Sequence, residues 1–365
     1  MAVALGRCLS WQGFARLIQP GRRLVVGICC FFLVVPEVTE SAEAAVDRSP
    51  ASIQSAFDSG DYQTVIGSLE RQMTGNVPTI HSAEQIHWLL LHADSYRGLG
   101  MHTQAVDLLF AVKADVESQE YQAGPHALYY GRIASAYQFA RNDTQALAYL
   151  NKGLAIAEKN DLTGVQSSLH NDLGNLYASR KNYPAGIDAY RTSLAEAIAL
   201  DEPAVIATVA VNLGRALLAS NNYGDVERAL ALANGAINRM PRSADRLRKL
   251  LSLGRLYQSA QNALGGDSGL RAAANQQLLQ ALDLAGELSD ERSASYALGY
   301  LGGLYEDEER FEEALELTRH AVLLAQKSDA NEAIYQWQWQ IARVLVQLGD
   351  IDAGIGAYRS AIKSI

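Results

Sequence analysis

Cysteine is confined to the first thirty residues of this 365-residue chain, at Cys8, Cys29 and Cys30. If that segment is removed, what remains has no thiol, so it can form no disulfide, no thiolate metal site and no cysteine nucleophile. Proline is scarce, at eight residues, which suits a chain helical throughout. A surplus of positive charge is missing too: the net charge of −9 argues against a nucleic-acid surface. No P-loop, no H-E-x-x-H and no G-x-S-x-G occurs, so no cofactor, metal or hydrolase chemistry is expected. The apolar run Leu24–Val35 has 12 residues, short of the roughly 20 that span a bilayer.

That run fits the core of an export signal better. Arg7, Arg16, Arg22 and Arg23 supply the basic lead, and Ala42-Glu43-Ala44 supplies small residues for cleavage. Residues 1–44 therefore read as a signal peptide, which implies a periplasmic or secreted protein. A membrane would be touched only if the segment were retained as an anchor. Arg22-Arg23-Leu24-Val25-Val26 resembles a twin-arginine signal, although Gly21 precedes it where Ser or Thr is usual. Ile28 before Cys29 makes a poor lipidation site.

What the chain does contain is repetition. Asp172–Ala197 reads as two short amphipathic helices around a tight turn. Leu173, Gly174 and Tyr177 share one face, Gly186 and Tyr190 another, and Tyr183 sits near the turn. Small residues at Gly174 and Gly186 let two backbones approach while tyrosines fill the space around them. Gly214 and Gly254 repeat Gly174 at intervals of 40, Ala134 and Ala93 precede it, and Gly302 and Ala342 follow. The aromatic three residues later recurs as Tyr96, Tyr137, Tyr257 and Tyr305. One hairpin cannot bury its own apolar face, so copies must stack.

This pattern resembles the tetratricopeptide repeat (TPR), W-x2-L-G-x2-Y…A-x3-F. Gly302, Tyr305, Phe311, Ala314 and Ala321 match closely, as do Gly349, Tyr358 and Ala361. The period of 40 departs from the usual 34, and the Trp position holds Tyr130, His170, Ala210, Leu250 or Leu298. The resemblance implies an all-α chain, a right-handed α-solenoid of seven to eight hairpins over 45–365. It also implies protein binding rather than catalysis. A period near 40 calls for helices of about 16–17 residues.

Two local expectations follow. Asp161, Asp201, Asp290 and Asp329 stand where one hairpin ends and the next begins, and read as helix N-caps. Gln261–Asn275 holds eight extra residues and reads as a lengthened loop between helices.

The remaining candidates are weak. Gly266-Asp267-Ser268-Gly269 mimics the surroundings of a chymotrypsin-type serine without a His–Asp scaffold, and reads as coincidence. His81, His87 and His92 are spaced six and five apart, which does not place two ligands on one helix face. Glu306–Glu313 reads as a solvated acidic turn, with a weak cation site as the alternative.

The informative surface is the inner wall, lined in the TPR arrangement by the first helix of each hairpin. There the sequence places Asn171 and Asn175, then Arg215 and Arg255, then Tyr335, Trp339 and Arg343. Asparagine bonds peptide groups, arginine pairs with carboxylates, and Trp339 is placed to stack under Arg343. These residues suggest a groove for a protein or peptide partner of acidic character.

The array stops with Ile355, Ala361, Ile362 and Ile365 expected to be partly bare, a place for a C-terminal partner or self-association. The run from Tyr335 is also similar to the last repeat of bacterial TPR–CHAT proteins, which implies the repeat half of a caspase-like system as an alternative function.

Overall fold

A helix of 17 residues followed by a three-residue turn makes a 20-residue unit, and two units make the 40-residue period. The computed structural model describes residues 49–72, 80–265 and 268–364. The signal-peptide reading of residues 1–44 lies outside them.

Among the described residues the helices pair in order. The pairs are α1 (Pro50–Ser59) with α2 (Tyr62–Gln72), and α3 (Ala83–Gly98) with α4 (His102–Ala111) and its short continuation α5 (Lys113–Glu117). Then come α6 (Ala123–Phe139) with α7 (Asp143–Lys159), α8 (Thr163–Ser179) with α9 (Tyr183–Ala199), and α10 (Pro203–Ala219) with α11 (Val226–Arg239). The last three are α12 (Ala244–Leu264) with α13 (Ser268–Leu288), α14 (Glu291–Asp307) with α15 (Phe311–Lys327), and α16 (Asn331–Gln347) with α17 (Ile351–Lys363). No strand occurs among the described residues, and no helix there is long and apolar enough to cross a membrane. The fold is an all-α solenoid of helical hairpins.

The turns explain the regularity. Arg141, Asp161, Lys181, Asp201 and Asn221 have φ between 51° and 59°, spaced by 20 residues, and Ser289, Glu309 and Asp329 repeat the pattern. Each reverses the chain in the left-handed conformation at a helix C-terminus. The next amide then bonds back across the turn, as Leu162 N–H donates to the Ala157 carbonyl at 2.9 Å and Asn182 N–H to that of Tyr177 at 2.9 Å.

The N-cap reading of the aspartates is thereby corrected. Asp161, Asp201 and Asp329 close the preceding helix from the left-handed position, which aspartate tolerates better than most residues. Asp290 alone of the four is an N-cap, accepting from Ser293 N–H at 2.9 Å.

The eight extra residues are also placed differently from the expectation. They do not form a long loop. α12 and α13 each run 21 residues, four more than the 17 of their neighbours. Four residues are close to one helical turn, so both helices lengthen by about 6 Å while keeping the same face inward. A loop would have forfeited those backbone hydrogen bonds.

Packing follows the small-residue logic. A Cβ built on Gly174 would lie 2.5 Å from the ring of Tyr190, and one on Gly186 would lie 3.2 Å from the Gly174 carbonyl. First helices touch first helices of neighbouring hairpins along the series α3, α6, α8, α10, α12, α14, α16. They form an inner layer, with the second helices outside. At α17, Ala361 is buried rather than bare, while Ile355 is exposed and Ile362 is 63% exposed.

Candidate ligand-binding face

The inner layer gathers its polar residues in two cavities. The larger, about 890 Å³, is lined by α10, α12 and α14 on one side. Arg215 from α10 and Arg255 from α12 both reach it, together with Tyr300 from α14. They occupy equal places in successive repeats, one residue after Gly214 and Gly254, so the stacking of hairpins brings them side by side. Arg255 Nη1 donates to the Tyr300 hydroxyl at 3.3 Å, and its guanidinium lies 4.7 Å from that ring's centroid. Arg215 is open to solvent yet walled by protein. Burial, and then the like charge of Arg255, hold its pKa below the usual arginine value. Among the described residues neither arginine has a carboxylate within ion-pair distance.

The smaller cavity, about 500 Å³, is lined chiefly by α4, α6 and α8, with Arg97 of α3, and contains Asn175. Its floor is an ion network. Arg132 Nε donates to Asp94 Oδ1 at 3.0 Å and Arg132 Nη2 to Asp94 Oδ2 at 3.1 Å. Arg132 Nη1 also lies 3.8 Å from Asp172 Oδ2, an oxygen with no hydrogen-bond partner. Burial pushes the Asp172 carboxyl upward against the pull of Arg132. Sequence reasoning missed Arg132 and Asp172. The available signal was their shared offset, each two residues before the small residue of its repeat, Ala134 and Gly174, with opposite charge.

The other expected groove residues are dispersed. Asn175 accepts from the Tyr190 hydroxyl at 2.8 Å, and Asn171 accepts from Asn212 Nδ2 at 3.0 Å. Both asparagines are thus engaged with the scaffold. Tyr335 and Trp339 are exposed but line neither cavity. Trp339 meets Tyr358 edge-on at 4.8 Å. Arg343 does not stack on it; its guanidinium forks onto Glu306, with both bonds at 2.8 Å. The nearby carboxylate explains the difference, since a bidentate pair outcompetes an exposed ring contact.

The acidic turn is likewise paired off. Arg310 bonds Glu308 and Glu313 and lies 4.1 Å over the Tyr305 ring. No group of three potential metal ligands occurs among the described residues. His81 and His87 are exposed. His92 is buried on Tyr96 at 4.7 Å, with neither ring nitrogen bonded. Desolvation lowers its pKa to about 4. Gly266 and Asp267 of the serine-like tetrapeptide lie outside the described residues.

No protein-family profile matches the chain, and no curated protein matches it in sequence. Solved structures do resemble it. The apo form of RapI superposes with a TM-score of 0.51 at 13% identity, over 83% of this chain and 79% of that one. A signal-transduction ATPase with a tetratricopeptide repeat sensor, from Pyrococcus horikoshii, gives 0.53 at 16%, over 87% of this chain and 50% of that one. A Rap protein complexed with competence and sporulation factor gives 0.51 at 15%, over 77% and 76%. The fold is TPR-like. At these identities the likeness concerns architecture, and it agrees with the repeat pattern and with the paired helices.

Proposed function

We propose that this chain is a non-catalytic scaffold that binds a protein or peptide partner along its inner layer of first helices. The observation that carries the reading is that layer itself. Seven first helices present one connected face, and Arg215 and Arg255 stand on it as hydrogen-bond donors on rigid helices, without a carboxylate at ion-pair distance among the described residues. The two unpaired arginines, Arg215 and Arg255, favour an acidic partner segment. One structural neighbour of similar architecture is a Rap protein solved with competence and sporulation factor, which supports a binding role for an array of this kind. The N-terminal pattern supports export, so the partner is sought in the periplasm or outside the cell. No observation favours the CHAT alternative.

The test is a pull-down from periplasmic extract with the wild-type chain and with Arg215→Glu/Arg255→Glu. Partner recovery should fall sharply in the double variant while helix content is retained. Equal recovery would discard the groove.

A further inference from the structure

The first hairpin reaches back across the inner face to the sixth. Gly60, at φ 85° in the corner between α1 and α2, comes so near α12 that a Cβ built on it would lie 2.9 Å from that of Ala244. Arg248 of α12 stands 5.6 Å over the ring of Tyr62, and that ring in turn covers Gly98 at the end of α3. The α1–α2 corner and the α3–α4 turn thus form a wall facing α10, α12 and α14, and the inner face is here a walled, half-open cavity of about 890 Å³. That volume falls within the 300–1,000 Å³ of small-ligand sites, and is too small for a folded partner.

Its charges do not balance locally. Arg97, Arg215, Arg248, Arg255 and Arg292 all line it. Arg97 faces Asp94 at 3.6 Å, Arg248 faces Asp245 at 3.4 Å and Arg292 faces Glu332 at 2.6 Å. The acids of the wall are committed elsewhere. Asp61 accepts from Thr64 N–H at 3.1 Å, Asp290 caps α14, and Glu291 pairs with Lys327. Among the described residues, Arg215 and Arg255 are left as two cations of one cavity without a carboxylate at ion-pair distance. The Tyr300 oxygen accepts from Arg255, which leaves its own O–H free to donate. Leu251 and Tyr296 add apolar wall alongside.

We infer that this cavity binds a small ligand through a carboxylate or phosphate oxyanion seated between Arg215 and Arg255, with the first hairpin as its closing wall. Two forked guanidinium groups and a hydroxyl donor match the oxygens of either group. The site goes beyond the partner reading, since it stands even if no protein binds the inner face. Its occupancy is linked to docking of the first hairpin, because the docked α1–α2 corner screens the two guanidinium groups from water and so strengthens their hold on the anion, which gives the ligand a higher affinity for the docked state.

Citrate and inorganic phosphate are the probes, titrated calorimetrically into the full chain at up to about 10 mM. At least one should bind, with Arg215→Gln and Arg255→Gln each weakening it roughly tenfold or more. Arg239→Gln, on the outer helix α11, should leave binding unchanged and serves as the control. Citrate alone binding identifies a carboxylate ligand, phosphate alone a phosphate ligand, and both a general oxyanion site. Neither binding, or binding that survives both Arg→Gln variants, overturns the site. Deuterium uptake over residues 50–71 should slow when the probe is bound. Gly60→Val, with helix content checked by circular dichroism, should raise that uptake and weaken the probe; full probe affinity in this variant overturns the closing role of the hairpin.

Discussion

Replacing glycine by alanine should have opposite signs at two helical positions of this chain. In a helix interior the change is favourable by about 1 kcal/mol, because alanine loses less backbone entropy. At Gly235, exposed on α11, nothing lies within 4 Å of the added Cβ, so Gly235→Ala should gain about that amount. At Gly174 the same Cβ would fall 2.5 Å from Cδ1 and Cε1 of Tyr190, well inside ordinary carbon contact of about 3.5–4.0 Å. The ring has nowhere to retreat: Tyr190 is buried and its hydroxyl is tied to Asn175 at 2.8 Å. Overpacking of this kind costs about 1–3 kcal/mol. The propensity gain is common to both sites, so their difference isolates the packing term, about 1–3 kcal/mol. Urea melts followed by far-UV circular dichroism measure it, with midpoints compared at equal slope. If Gly174→Ala moved the midpoint upward as far as Gly235→Ala, the close approach of first and second helices would not be what holds a hairpin together.

Three further outcomes are expected. Lys181 holds a left-handed turn at φ 59°; Lys181→Gly should be neutral to stabilising by up to about 1 kcal/mol, and Lys181→Val destabilising by more than that, in thermal melts. The folded pKa of His92 is about 4 against an ordinary 6.5, so the unfolded chain takes up the proton first as pH falls. Stability should therefore drop between about pH 6.5 and 4, by up to about 3 kcal/mol, and His92→Phe should flatten that drop in urea melts across pH. If the exposed isoleucines of α17 drive self-association, light scattering should show a concentration-dependent oligomer that Ile362→Lys abolishes; a monomer at all concentrations removes that reading.

The stacking was legible because it rests on volume. Gly174, Gly186 and Tyr190 can only be neighbours if two helices nearly touch, and the spacing of 40 repeats that demand. Turn chemistry was less legible. Asp161 and Asp201 suit an N-cap and a left-handed C-terminal turn equally well, and sequence offers no way to choose until the helix ends are known. The lengthened α12 and α13 were hidden because Gly265, Gly266 and Gly269 signal a loop, whereas four residues per helix preserve the inward face. The site was legible only in part. Arg215 and Arg255 share an offset and meet, but Arg343 at the same offset is claimed by Glu306, a residue whose approach depends on how the hairpins stack. The closure of the first hairpin on α12 joins residues 60 and 244, a separation at which no periodicity speaks.

Site-specific photo-crosslinking in cells decides whether binding belongs to the first-helix layer. A benzoyl-phenylalanine at position 252, in place of Ser252 of α12 in the wall of the larger cavity, keeps both arginines, and one at position 228, the exposed Arg228 of α11, sits on a second helix. Discrete adducts at 252 and none at 228 are expected. Adducts at 228 with none at 252 would place binding on the outer helices and contradict the account.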